Sequence, residues 1–125
     1  MGSIKVLVVD DEREYVDALT ERLAMRGVGV TGATSGDEAL SMLAAAPVDV
    51  VVLDVMMPVR SGISTLVEIK KRHPQTAVIM LSGHADLETA IDGIELGAFD
   101  YLVKPVKLDE LFYKIEDAYH AVAQD

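Results

Sequence analysis

The chain has 125 residues, half of them hydrophobic and a quarter charged, which is enough for one soluble domain with a single core over residues 1–125. Its net charge of −10 would repel phosphate-rich surfaces, so direct binding to nucleic acid or to an anionic membrane is not expected. The absence of cysteine removes disulfides, thiol nucleophiles and thiolate metal sites.

No apolar run approaches the roughly 20 residues that a membrane-spanning helix needs. No secretory signal is visible either, and the cytoplasm is the expected location. Ile4 to Val9 reads as a short strand, followed directly by Asp10-Asp11. An amphipathic helix runs from about Glu12 to Arg26, with Val16, Leu19 and Leu23 at helical spacing and Gly27 as its stop. Val28 to Ala33 is a second strand. Ser35-Gly36-Asp37-Glu38 forms a capping box ahead of Ala39, Leu40 and Leu43, and Pro47 ends that helix.

Val50-Val51-Val52-Leu53 is an uninterrupted apolar run, as in a strand buried on both faces, and it delivers Asp54 to its end. Pro58 cannot continue a ladder, so a loop has begun there. Ile63, Leu66, Val67 and Lys70 mark a third helix. Thr76 to Leu81 is a fourth strand, closing at Ser82-Gly83-His84. Asp86 is placed to cap a fourth helix that turns Leu87, Ala90, Ile91 and Ile94 inward, with Gly97 as its stop. Phe99 to Val103 is a fifth strand, followed by Lys104-Pro105. The last helix starts near Lys107 and buries Leu108, Leu111, Phe112, Ile115 and Tyr119.

Five alternating strands and helices with short connections predict an α/β doubly wound sandwich, (βα)5, on a parallel sheet. The common strand order 2-1-3-4-5 puts strand 3 at the switch point, where ligand chemistry sits. Asp10, Asp11, Asp54, Ser82 and Lys104 then gather on one sheet edge. Taken singly, each reads as a turn, cap or surface residue. Five such readings coinciding on one edge point to a site instead.

Three carboxylates so close repel by a few kcal/mol at about 4 Å, even at an effective dielectric near 20. Lys104 supplies one counter-charge. A hard divalent cation supplies the rest, and Mg²⁺ suits an all-oxygen site best. With no histidine or cysteine at the centre, zinc does not suit. A carboxylate beside Mg²⁺, a lysine and a hydroxyl is equipped to attack phosphorus and form an acyl phosphate, with Asp54 as nucleophile. Gly27-Val28-Gly29-Val30-Thr31-Gly32 matches G-x-G-x-x-G, but it follows a helix and opens a strand, the reverse of the dinucleotide fingerprint.

Val8-Val9-Asp10-Asp11-Glu12, Leu53-Asp54-Val55-Met56-Met57-Pro58 with Gly62, Leu81-Ser82, and Gly97-Ala98-Phe99-Asp100-Tyr101-Leu102-Val103-Lys104-Pro105 together resemble the receiver domain of two-component response regulators, along essentially the whole chain. The resemblance implies a flavodoxin-like fold and transfer of a phosphoryl group to Asp54 from a phosphohistidine on a sensor histidine kinase or histidine phosphotransfer protein. It implies Mg²⁺ on Asp10, Asp11, Asp54 and the backbone carbonyl of Met56, and a cis Lys104-Pro105 bond. It also implies a switch through Ser82 and Tyr101 that reshapes helix 4, strand 5 and helix 5 for a downstream effector. That surface is also where a second copy would bind. Met56 and His84 occupy positions that tune phosphoryl lifetime in the family. Apolar Met56 cannot orient an attacking water, so self-dephosphorylation is expected to be slow to moderate.

Such a chain is a signalling module and not a turnover enzyme. A pseudo-receiver that interacts without phosphorylation is the main alternative. An aspartate-based phosphatase of the haloacid-dehalogenase type needs a second Asp two residues after the nucleophile, where this chain has Met56. A flavodoxin-like electron carrier needs a phosphate loop after strand 1, where Asp10-Asp11 would repel the flavin phosphate.

Overall fold

A computed structural model describes residues 3–57, 61–83 and 87–123. Five parallel strands, β1 (Lys5–Val9), β2 (Gly29–Ala33), β3 (Val50–Asp54), β4 (Ala77–Ser82) and β5 (Asp100–Val103), lie in the order β2-β1-β3-β4-β5. The helices between them are α1 (Arg13–Ala24), α2 (Gly36–Ala45), α3 (Gly62–Arg72), α4 (Leu87–Glu95) and α5 (Leu108–Ala123). This is the expected doubly wound arrangement, with β3 at the switch point.

Successive strand residues face opposite sides of a sheet, and that alternation builds two cores, one on each face, instead of the single core expected. Val6, Val8, Val50, Val52, Ile79 and Leu81 pack against α1 and α5. Leu7, Val9, Val51, Leu53, Val78 and Met80 pack against α2 and α3. Every residue of β3 and β4 is buried, which is why those strands run apolar without alternation up to their last residues, Asp54 and Ser82.

The helix ends follow their local chemistry. Gly27 and Gly97 take φ of 88° and 110° just beyond α1 and α4, a region that favours glycine. Ser35 Oγ accepts from the Glu38 amide, as a capping box requires. The Glu38 carboxylate reaches one residue further back than expected and accepts from the Thr34 amide at 2.7 Å. Helix α1 begins at Arg13, and its N-cap is Glu12, which makes no side-chain capping bond.

Two helix faces differ from expectation. In α3 the buried residues are Gly62, Thr65, Leu66 and Ile69, while Val67 is exposed. In α4, Leu87, Ile91 and Ile94 are exposed rather than inward, and Gly93 is the buried residue. The reason lies in Gly93. A Cβ there would run into the Met80 thioether, so the helix backbone packs closely on the end of the Met80 side chain. That contact is narrow and leaves the flanking apolar side chains Leu87, Ile91 and Ile94 exposed. The expected Asp86 cap and the Pro58 loop lie outside the described residues.

Gly62 fixes where α3 starts. Its amide donates to the Val55 carbonyl at 2.9 Å, and a Cβ would meet Asp54 O and Val55 Cα at 2.4 Å. Both contacts are backbone and cannot turn aside. Gly62→Ala is therefore expected to lower stability by about 2–3 kcal/mol in urea unfolding. Gly29→Ala, whose Cβ meets only ordinary contacts at 3.7 Å and beyond, is expected to cost under about 1 kcal/mol.

Candidate functional site

Alternation decides which side chains meet at the C-terminal edge. Asp10 follows Val9, and Asp54 follows Leu53, so both continue the rows that face α1 and α5. Lys104 follows β5 on the same side, two residues after Leu102. Ser82 continues the row of Val78 and Met80 on the other side, where Tyr101 also packs. The expected site residues thus fall into two groups on opposite faces of one edge.

The first group is an acidic cluster. One carboxylate oxygen from each of Asp10, Asp11 and Asp54 lies within 4.8 Å of the other two. Asp10 and Asp54 are 2% and 6% exposed, and Asp11 is open to solvent. Asp10 Oδ1 accepts from the Glu12 amide at 3.0 Å, and Asp10 Oδ2 accepts from the Lys104 ammonium at 2.6 Å. Asp54 Oδ1 accepts from the Met56 amide at 3.2 Å. The lysine thus commits its closest contact to Asp10, not to Asp54.

Burial pushes the Asp54 carboxyl up to about 6. The Met56 amide opposes that rise, the charge of Asp10 adds to it, Lys104 opposes it and Asp11 adds to it. Burial alone would lower the Lys104 ammonium. The hydrogen bond and charge of Asp10, with the charges of Asp54 and Tyr15, outweigh it and hold Lys104 above its ordinary value.

Tyr15, on the first turn of α1, joins the site although the sequence pattern did not single it out. Its ring lies 4.2 Å from the Lys104 ammonium. The available signal was an aromatic five residues beyond Asp10, one turn into the helix that starts at the acidic pair. Burial raises its hydroxyl pKa.

The second group is Ser82 and Tyr101. Ser82 is fully buried at the last position of β4, and its carbonyl accepts from the Lys104 amide at 2.7 Å. Tyr101 is half-buried, with its amide donating to the Asp100 carboxylate at 2.7 Å. The Lys104-Pro105 bond is cis. Met56 is exposed, and His84 lies outside the described residues.

Three hard oxygen donors converging around a carboxyl that resists ionisation make a donor set suited to Mg²⁺. A bound divalent cation would relieve both the mutual repulsion and the cost of ionising Asp54.

An acidic cluster at the switch point of a parallel sheet in this order places the chain among the flavodoxin-like doubly wound proteins. Within that class it belongs to the response regulator receiver domain family, whose model matches residues 6–116. It is 46% identical over 111 residues to the transcriptional regulatory protein CpxR of Klebsiella pneumoniae, covering 89% of this chain and 47% of that protein. A receiver domain protein of Clostridium thermocellum superposes with a TM-score of 0.89 at 40% identity, covering 94% of this chain and 95% of that one. The beryllofluoride-activated NtrC4 receiver domain dimer superposes with a TM-score of 0.88 at 32% identity, covering 94% and 98%. The chain spans about half the length, or less, of the curated relatives it matches. No helix among the described residues is long and apolar enough to cross a membrane.

The raised Asp54 pKa sets a pH dependence. A folded-state value near 6 lies above the unfolded one near 3.8, so the folded chain binds the proton more tightly. Stability without metal therefore falls as pH rises from about 4 to about 6, and the cost is complete above that. Asp54→Asn removes it. In EDTA the variant is expected to be about 1–3 kcal/mol more stable than the parent at pH 8, with less than about half that gain at pH 4.5, by urea unfolding.

Proposed function

We propose that the chain accepts a phosphoryl group on Asp54 from a phosphohistidine of a sensor histidine kinase or histidine phosphotransfer protein. The phosphorylated form then presents an altered α4–β5–α5 surface to a downstream effector. The observation that carries this reading is the convergence of the Asp10, Asp11 and Asp54 carboxylates within 4.8 Å, with the Lys104 ammonium 2.6 Å from Asp10. Membership of the receiver family supports it.

A carboxylate oxygen of Asp54 attacks phosphorus. The new O–P bond forms as the P–N bond breaks, and the imidazole leaves with that bond's electron pair. With a pKa near 6, Asp54 is mostly ionised at neutral pH and ready as the nucleophile. Asp10, Asp11, Asp54 and the Met56 backbone carbonyl are the residues that would hold Mg²⁺. When bound, the metal supplies positive charge to the phosphoryl oxygens. Lys104 shares its donors between Asp10 and those oxygens as negative charge collects there. The Ser82 hydroxyl donates to one of them, and the Tyr101 ring turns toward the space Ser82 leaves. That both side chains lie on the same face supports their acting as a pair.

The output surface is α4 with its neighbours. Leu87, Ile91, Ile94, Phe99 and Val103 leave an apolar surface exposed there, available to an effector or to a second copy. The NtrC4 relative is a dimer by its description. Residues 1–125 act in this reading as one receiver domain, cytoplasmic, without contacting nucleic acid or membrane, and as a signalling module rather than a turnover enzyme. Met56 and His84 set how long the phosphoryl group lasts.

Incubation with Mg²⁺ and phosphoramidate or acetyl phosphate is expected to add one phosphoryl mass to the intact chain. The gain should vanish in EDTA and in Asp54→Ala. A folded chain that gains no mass would favour the pseudo-receiver instead. The aspartyl phosphate is expected to decay over minutes or longer, because the thioether of Met56 cannot orient water. Decay within seconds would overturn that account of Met56.

A further inference from the structure

Lys104 is pinned at its root and is long and flexible beyond it. Its amide donates to Ser82 O at 2.7 Å, but a lysine stem turns about several bonds before it reaches its ammonium. Two contacts fix the tip. Asp10 Oδ2 accepts from it at 2.6 Å, and the Tyr15 ring centroid lies 4.2 Å away. The two contacts differ in kind. A carboxylate takes an N–H donor. A ring face attracts the cation through its quadrupole and occupies no acceptor site in competition with oxygen. The ammonium is thus held in place while donors remain for another oxygen, beside Asp54, whose charge it already feels.

We infer that Tyr15 is a positioning residue, whose ring holds the Lys104 ammonium beside Asp10 and Asp54 so that an incoming phosphoryl group meets a lysine already in place. The inference rests on Asp54 being the phosphoryl acceptor. The competing account is packing, because Tyr15 also lines a cleft of about 210 Å³ with Pro105, Val106, Leu108 and Leu111. Leucine would serve that packing role but has no ring face. Phenylalanine keeps the face and loses only the hydroxyl.

The test compares the parent chain with Tyr15→Phe and Tyr15→Leu, isotopically labelled. The Lys104 Hε protons are expected to be shifted upfield by the ring current in the parent and in Tyr15→Phe, and to return to ordinary positions in Tyr15→Leu. At saturating Mg²⁺, phosphorylation of Asp54 by phosphoramidate, followed by intact mass, should run at parental rate in Tyr15→Phe. It should be about three- to tenfold slower in Tyr15→Leu. Unchanged Lys104 shifts in Tyr15→Leu would overturn the inference. So would a Tyr15→Leu rate within about twofold of the parent, or Tyr15→Phe as slow as Tyr15→Leu. A parent chain that takes no phosphoryl group would sink the reading of Asp54, while the Lys104 shifts would still judge the ring contact.

Discussion

Lys104 reaches from the end of β5 to the end of β1 and donates to Asp10 at 2.6 Å, crossing the edge where β3 ends in Asp54. The arrangement is a response to crowding of negative charge. One ammonium cannot neutralise three carboxylates, and it goes to Asp10, the most deeply buried of them. Asp54 is left with its ionisation opposed by burial and by the charge of Asp10. The edge is therefore least comfortable at Asp54, the phosphoryl acceptor of the proposed function. A cation or a covalent change at Asp54 has electrostatic strain to relieve there.

The same edge divides by strand parity. Asp10, Asp54 and Lys104 lie toward α1 and α5, while Ser82 and Tyr101 lie toward α2, α3 and α4. Under the proposed function, phosphoryl chemistry and its readout stand on opposite faces of the sheet, one residue apart along the strands. The link between them is short and made of backbone, since the carbonyl of Ser82 accepts from the amide of Lys104. A displacement of either group has a direct mechanical route to the other.

Much of this was legible in the sequence because it follows from period-two and helical patterns. The buried β3 followed from its unbroken apolar run, the strand order from the common order of such sheets, and the placing of Asp10, Asp11, Asp54, Ser82 and Lys104 on one edge from the rule that parallel strands end together. What was not legible depended on tertiary detail. The apolar residues Leu87, Ile91 and Ile94 give α4 an amphipathic pattern, but Gly93, with no side chain, decides which stripe of the helix touches β4. Tyr15 carries no motif, and its ring enters the site only because the end of β5 brings the Lys104 ammonium over it. Glu38 formed its cap with Thr34 instead of Ser35, a choice of one residue that spacing cannot make.

The exposed apolar stripe of α4 belongs to a chain carrying a net charge of −10. At neutral pH, mutual repulsion between copies works against apolar adhesion along that stripe. Salt screens the repulsion, over a distance of about 8 Å at physiological ionic strength, and leaves the apolar attraction intact. Near the isoelectric point of about 4.6 the repulsion is gone. The balance at that stripe is thus set by the solution as much as by the fold: dilute neutral buffer opposes contact between copies there, and brine or mild acid removes that opposition.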